Sequence, residues 1–203
     1  MYIINNIMEE LAEPAWEIAS LFPAQGNWSE EEYLALDTNH LVEFSDGRVE
    51  VLPLPSDRHQ AIVTFFLLAF VAYAKKGGGI VRPAPLRVRL WPGKVREPDV
   101  VFLLAEHDAW RHEEYWEGAD VVVEVVSGSS QDQRRDLVTK RQEYAQAGIS
   151  EYWIVDPDRA TITVLTLVGS EYGEHGRFTR NEVAASSHLP GFQVAVNEAL
   201  DAV

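Results

Sequence analysis

Cysteine is missing altogether from the 203 residues. That excludes disulfides, thiolate nucleophiles and any zinc site built on sulfur. It suits a reducing compartment, so a cytoplasmic location is expected. Positive charge is also scarce: 17 Lys and Arg stand against 32 Asp and Glu, a net charge of -15. Such a balance works against non-specific attraction to nucleic acid. Residues 1–10 lack a basic leader followed by an apolar stretch, so no secretory signal is expected. The most apolar run, 61–74, is shorter than a bilayer-spanning helix requires and reads as a core helix, so no membrane association is expected. Internal repeats and low-complexity tracts are lacking too. What remains is 46% hydrophobic and 24% charged, an ordinary globular composition, long enough for one sizeable core and short for two.

The charge comes in blocks. Residues 1–50 carry eleven acids and one base, Arg48. Residues 75–96 carry seven bases (Lys75, Lys76, Arg82, Arg87, Arg89, Lys94 and Arg96) and no acid. Residues 97–124 then carry nine acids against Arg111. The basic stripe is either a solvated face or a surface that engages phosphates, and both readings stay open.

Local patterns give a coarse map. Residues 1–28 read as an extension, with a short helix over 9–21 interrupted by Pro14 and a loop at 23–26. Ser29 and Glu32 match a capping box, so a helix is expected from about Glu30. Residues 40–52 alternate like a hairpin around an Asp46-Gly47 turn. A long helix is expected between Ser56 as N-cap and Gly77–Gly79 as stop. It is apolar on nearly every side from Ile62 to Tyr73, which predicts a buried helix. Strands are expected at 86–90, 100–104, around 121–126, at 152–155 and at 161–167. An amphipathic helix is expected over 131–147, closed by Gly148. A hairpin through Gly173–Gly176 and a strand near 192–196 complete the order. Trp110 and Trp116, among acids, are expected in a mobile loop or a dimer contact, and Trp153 in packing. The order points to one mixed α/β domain over 29–203.

Glu124 interrupts a valine run, Val121-Val122-Val123-Glu124-Val125-Val126. Such a run reads as a buried strand. An ionised carboxylate inside it is costly unless a cation, a hydrogen-bond donor or a metal meets it. Asp99 follows Pro98 at the mouth of the preceding strand, so the two carboxylates converge if those strands are neighbours. Carboxylate and carbonyl oxygens suit Mg²⁺ and Mn²⁺. The same-face position two residues after the glutamate holds Val126, not a cation. Lys140 on the next helix is a candidate to supply that charge, with Asp136 and Tyr144 one turn to either side.

Together these residues resemble the PD-(D/E)xK nuclease superfamily, and most closely its Uma-two branch of restriction endonucleases. The resemblance rests on Glu43 to Gly47, Val49 to Pro53, Pro55 to Gln60, Glu97 to Val101, Asp120 to Ser127, Arg134 to Leu137, Lys140, Tyr144 to Gly148, Glu151 to Pro157 and Leu189 to Phe192. It implies a restriction-endonuclease-like core, a mixed β-sheet flanked by helices. It implies a Mg²⁺-dependent endonuclease, with Mn²⁺ as a substitute, that hydrolyses DNA as a homodimer. Asp99 and Glu124 match the metal-binding acids, with the Val125 carbonyl as a further ligand. Glu43 matches an acid near the metal and its water. Lys140 matches a lysine moved from strand to helix, and His59 an accessory histidine. A lysine beside two acids stays protonated, which favours electrostatic stabilisation over general-base work. Lys140→Ala is expected to abolish cleavage with little loss of fold, because a helix tolerates alanine. Gly128 stands where the family more often has proline, and fewer bases follow it, which argues against tight DNA binding. Two other readings remain: a non-catalytic descendant that binds a protein or nucleic acid, and a hydrolase of a smaller phosphate ester.

Overall fold

β-Branched and aromatic runs set the centre of the molecule. The computed structural model describes residues 22–38, 40–126 and 138–203. In chain order the elements are α1 (Glu30–Leu34), β1 (Val42–Ser45), β2 (Arg48–Val51), α2 (Asp57–Gly77), β3 (Ile80–Pro83), β4 (Val88–Trp91), β5 (Lys94–Arg96) and β6 (Val100–Leu103). A 3₁₀ turn (Ala105–Trp110) leads to β7 (Val121–Val125), α3 (Lys140–Gln146), β8 (Glu151–Asp156), β9 (Thr161–Val168), β10 (Glu171–Thr179), β11 (Val183–Ala185), β12 (Gln193–Ala195) and α4 (Val196–Leu200). Six strands form the main sheet in the order β10-β9-β8-β7-β6-β3. Its neighbours are antiparallel except for the parallel pair β7–β8. A second sheet runs β2-β1-β5-β4, and β11 pairs with β12.

Alternation along β7 divides the core. Val121, Val123 and Val125 join Ile62, Phe66 and Phe70 of α2 on one face, with Trp153, Phe192 and Leu200. Val122 and Val126 join Tyr144, Ile149 and Tyr152 on the other, beneath α3. Glu124 has the parity of that second face. The small sheet has its own apolar side, Val42, Phe44 and Val95, packed on Trp28 and Tyr33. Its other side therefore presents Glu43 and Ser45 of β1 toward the same region as Lys94 and Arg96 of β5. The register Phe44↔Val95 and Ser45↔Lys94 sets these four residues together.

The capping box on α1 and the Ser56 cap and Gly78 stop of α2 form as expected. The Asp46-Gly47 turn also forms, with both residues at positive φ, as a two-residue hairpin demands. Three expectations are corrected. Helix α2 is not buried all round: Ile62, Val63, Phe66 and Phe70 are inside, while Leu68 is 61% exposed. Among the described residues it is the one helix long and apolar enough to cross a membrane, yet its inner stripe packs on the sheet. The late hairpin turns at Gly169-Ser170, and Gly173–Gly176 fall inside β10, where a bulge lies between Glu174 and Gly176. Gly176 borders that bulge, and Gly173 pairs regularly with Thr166, so neither makes a turn. The third correction is Trp116, which is buried within the chain and bridges to Val88 and Arg111; Trp110 stays half-buried and stacks on His107 at 4.1 Å. The helix expected over 9–21, the Gly128 connection and residues 131–137 with Asp136 lie outside the described residues.

Candidate active site

The valine run creates the need that the site answers. Glu124 is 4% exposed. Its Oε1 accepts from Lys140 Nζ at 2.8 Å and from Tyr144 Oη at 2.6 Å. Lys140 and Tyr144 are one turn apart on α3, so one helical face delivers both donors. Burial, then the charges of Glu124 and Glu43, raise the Tyr144 phenol well above its ordinary value. Its hydroxyl therefore keeps the proton that it donates.

Asp99, just before β6, meets Glu124 across a strand pair registered Val100↔Val123. Its Oδ2 accepts from the Val125 amide at 2.7 Å and lies 3.2 Å from His59 Nε2. Burial works to lower the His59 imidazole. The Asp99 carboxylate, the Glu124 charge and the Val125 backbone outweigh it and hold His59 above its usual value. His59 sits in the first turn of α2, which the Ser56 cap fixes in place. Asp99, Glu124, Val125, His59 and Lys140 all line one cleft of about 400 Å³, with Glu97, Arg58 and the apolar segment Leu52–Pro55. The structure thus brings together four of the five side chains singled out in the sequence.

The fifth, Glu43, does not line that cleft; it is fully buried behind Lys140. Its Oε1 is 3.2 Å from Lys140 Nζ and its Oε2 is 3.3 Å from Arg96 Nη1. Arg96 in turn grips Glu143 of α3 with Nε at 2.7 Å and Nη2 at 2.8 Å. Three positions here had no separate signal in the sequence: Glu97, Arg96 and Glu143. The alternation Lys94-Val95-Arg96 around one buried valine, and Glu143 one turn after Lys140, were the traces available.

The basic stripe has an outcome that neither expectation covered. Arg89 pairs with Glu30 at 2.7 Å, and Lys94 and Arg96 pair with Glu143. Arg87 donates to the Leu34 and Leu36 carbonyls and lies 3.8 Å from Glu97. Four of its seven cations therefore serve contacts inside the protein, largely with the acid-rich block 30–46 and with α3.

A family model described as "Putative restriction endonuclease", Uma2, matches residues 30–197. The chain belongs to the Uma2 family. Its structure is similar to the crystal structure of "a putative nuclease belonging to DUF820" from Anabaena variabilis, with a TM-score of 0.67 and 17% identity over 86% of this chain and 98% of that one. That likeness shows the fold: the mixed sheet flanked by helices is a restriction-endonuclease-like core. Comparison with curated proteins returns no match. The Uma2 assignment and the fold point to a nuclease.

Proposed function

We propose that this Uma2 protein is a divalent-metal-dependent endonuclease that hydrolyses DNA phosphodiester bonds, working as a homodimer. The observation that carries the reading is the convergence of Asp99, Glu124, Val125 and Lys140 on one open cleft. Among the described residues no three His, Asp or Glu gather as a ready-made metal nest. Two carboxylates and a main-chain carbonyl are nevertheless the hard donors that Mg²⁺ takes, since it fills its remaining positions with water and phosphate oxygens. The residues fit the metal. Asp99, Glu124 and the Val125 carbonyl would hold it, and bound there it would acidify a water and offset charge on the scissile phosphate.

The chain's own groups do the rest. Lys140, held at 2.8 Å from Glu124 and 3.2 Å from Glu43, is kept protonated by two buried acids. Its role is to stabilise charge that develops on the phosphate. Glu43 fixes Lys140 from behind rather than touching the reacting groups. His59 orients Asp99 through the 3.2 Å contact. One observation favours the non-catalytic alternative: the cations of the 75–96 stripe are largely taken up inside the protein, which leaves less charge for phosphates.

A supercoiled-plasmid nicking assay with Mn²⁺ or Mg²⁺ decides between them. Wild type should nick only with metal, and Glu124→Gln should lose at least a hundredfold of that rate. Calorimetric Mn²⁺ titration should show heat for wild type and much weaker binding for Glu124→Gln. Equal, negligible heats and no nicking would overturn the nuclease reading. Light scattering that finds a monomer would remove the homodimer.

A further inference from the structure

Arg96 touches none of the groups proposed to meet metal or phosphate, yet it is 5% exposed and committed to two carboxylates. Glu143, which takes both arms of its fork, and Lys140 lie one turn apart on α3. Glu43, which takes its remaining nitrogen at 3.3 Å, is also the acid 3.2 Å behind Lys140. The contacts close a ring: β5 grips α3 at Glu143, α3 carries Lys140, Lys140 meets Glu43 on β1, and Glu43 returns to Arg96. We infer that Arg96 is a positioning residue that sets where the Lys140 ammonium stands in the cleft. The inference rests on the nuclease reading for its kinetic consequence, but its structural claim stands apart from it.

The chemistry of the fork makes the case. A guanidinium is planar and always charged, and it can bridge two carboxylates in fixed directions, whereas an ammonium offers a point charge. Arg96 therefore fixes the height of α3 against the small sheet through its two hydrogen bonds to Glu143, and it places a positive charge 3.3 Å from the Glu43 carboxylate that backs Lys140. Lys94 also reaches Glu143, at 3.2 Å, so Glu143 keeps a cation when Arg96 is replaced. Misplacement of a reacting group by about 1 Å costs on the order of 100-fold in rate. The loss should fall on kcat, because Asp99, Glu124 and the Val125 carbonyl, proposed to hold the metal, are not members of the ring, and Glu124 keeps the Tyr144 hydroxyl at 2.6 Å when Lys140 shifts.

The test compares wild type with Arg96→Gln, Arg96→Lys and Glu143→Gln, each first checked for cooperative unfolding. Nicking with Mn²⁺ should show kcat down about 100-fold in Arg96→Gln, about tenfold in Arg96→Lys and about tenfold in Glu143→Gln. Plasmid KM and calorimetric Mn²⁺ affinity should stay within about twofold. Independently of activity, the slowly exchanging ¹⁵N ammonium signal of Lys140, assigned by its loss in Lys140→Met, should broaden or vanish in Arg96→Gln and persist in Arg96→Lys. A folded Arg96→Gln with wild-type kcat and an unchanged Lys140 signal would overturn the inference. So would parallel losses of metal affinity and kcat. If Arg96→Gln does not fold, the other two variants decide by the same readouts. A wild type that nicks nothing sinks the nuclease reading alone, and the Lys140 signal still decides the positioning role.

Discussion

Replacing Lys140 separates two ideas about what that residue does for the fold. By helix propensity alone the change is harmless, since Lys and Met are nearly equal in a helix interior. The structure says otherwise. Lys140 is 2% exposed, and its ammonium lies between Glu124 at 2.8 Å and Glu43 at 3.2 Å. Removing one partner of a buried ion pair costs about 3–5 kcal/mol, because the other charge remains without compensation. Here Glu43 keeps Arg96 and Glu124 keeps the Tyr144 hydroxyl. The lower end, about 3 kcal/mol, is the expected loss for Lys140→Met, which retains most of the side-chain volume. For a domain of this size that corresponds to a fall in Tm of roughly 6–12 °C. Urea unfolding followed by tryptophan fluorescence, in EDTA at neutral pH, measures it directly. A second variant, Glu43→Gln with Lys140→Met, should recover part of the loss, since a charge pair replaced as a unit is often nearly neutral. Both variants should be inactive in nicking. A Lys140→Met stability within about 0.5 kcal/mol of wild type would refute the reasoning, as would strict additivity in the double variant.

Two further outcomes are expected. Tyr144→Phe removes the hydroxyl 2.6 Å from Glu124 Oε1. It should cost about 1.5–3 kcal/mol of stability and shift Mn²⁺ affinity or kcat by about 10–100-fold, and unchanged calorimetry and urea curves would contradict it. The buried Glu97 carboxyl is pushed from 4.5 up to about 7 by burial, which the Val42 amide and Arg87 offset only in part. The folded state thus holds a proton that the unfolded chain releases, so this group lowers stability as pH rises from about 4.5 through 7. Glu97→Gln should match wild type near pH 5 and exceed it by about 1–3 kcal/mol at pH 8 in EDTA. Parallel stability–pH curves would show that Glu97 does not titrate there.

Much of the site was legible because burial and charge conflict at Glu124. A carboxylate in a run of valines demands a donor, and Lys140 and Tyr144, one turn apart on α3, supply two. The Ser29 and Ser56 caps and the Asp46-Gly47 turn were readable because each depends on a few neighbouring residues. The failures share one cause: the information lies in contacts distant along the chain. The apolar girth of α2 does not reveal that the sheet covers only one side of it. The glycines of β10 look like a turn until the register with β9 shows a bulge. Glu43 has only the family resemblance to mark it, because its partners are distant along the chain: β5 lays Arg96 beside it and α3 brings Lys140 over it.

The charge blocks carry the same lesson into function. Seen along the chain, an acidic segment and a basic stripe suggest one surface that repels nucleic acid and another that attracts it. In space, Arg89 has gone to Glu30, Arg96 to Glu43, and Lys94 to Asp46 and Glu143. Such pairs hold the small sheet against α1 and α3, and they add little long-range field because each cation is neutralised within a few ångströms. Among the described residues, the cations that line the cleft are Lys140 and Arg58, with His59, against Glu97, Asp99, Glu124 and Asp158. Arg58 itself lies 3.7 Å from Asp158. A cleft so nearly balanced in charge offers little attraction to phosphate until a divalent cation adds positive charge. Metal and nucleic acid should therefore bind together, with DNA affinity in EDTA far weaker than in Ca²⁺, a divalent ion with the same oxygen preference. Gel-shift titrations of the wild type in the two conditions measure that coupling, and equal affinities would show that the grip on phosphate comes from elsewhere in the chain.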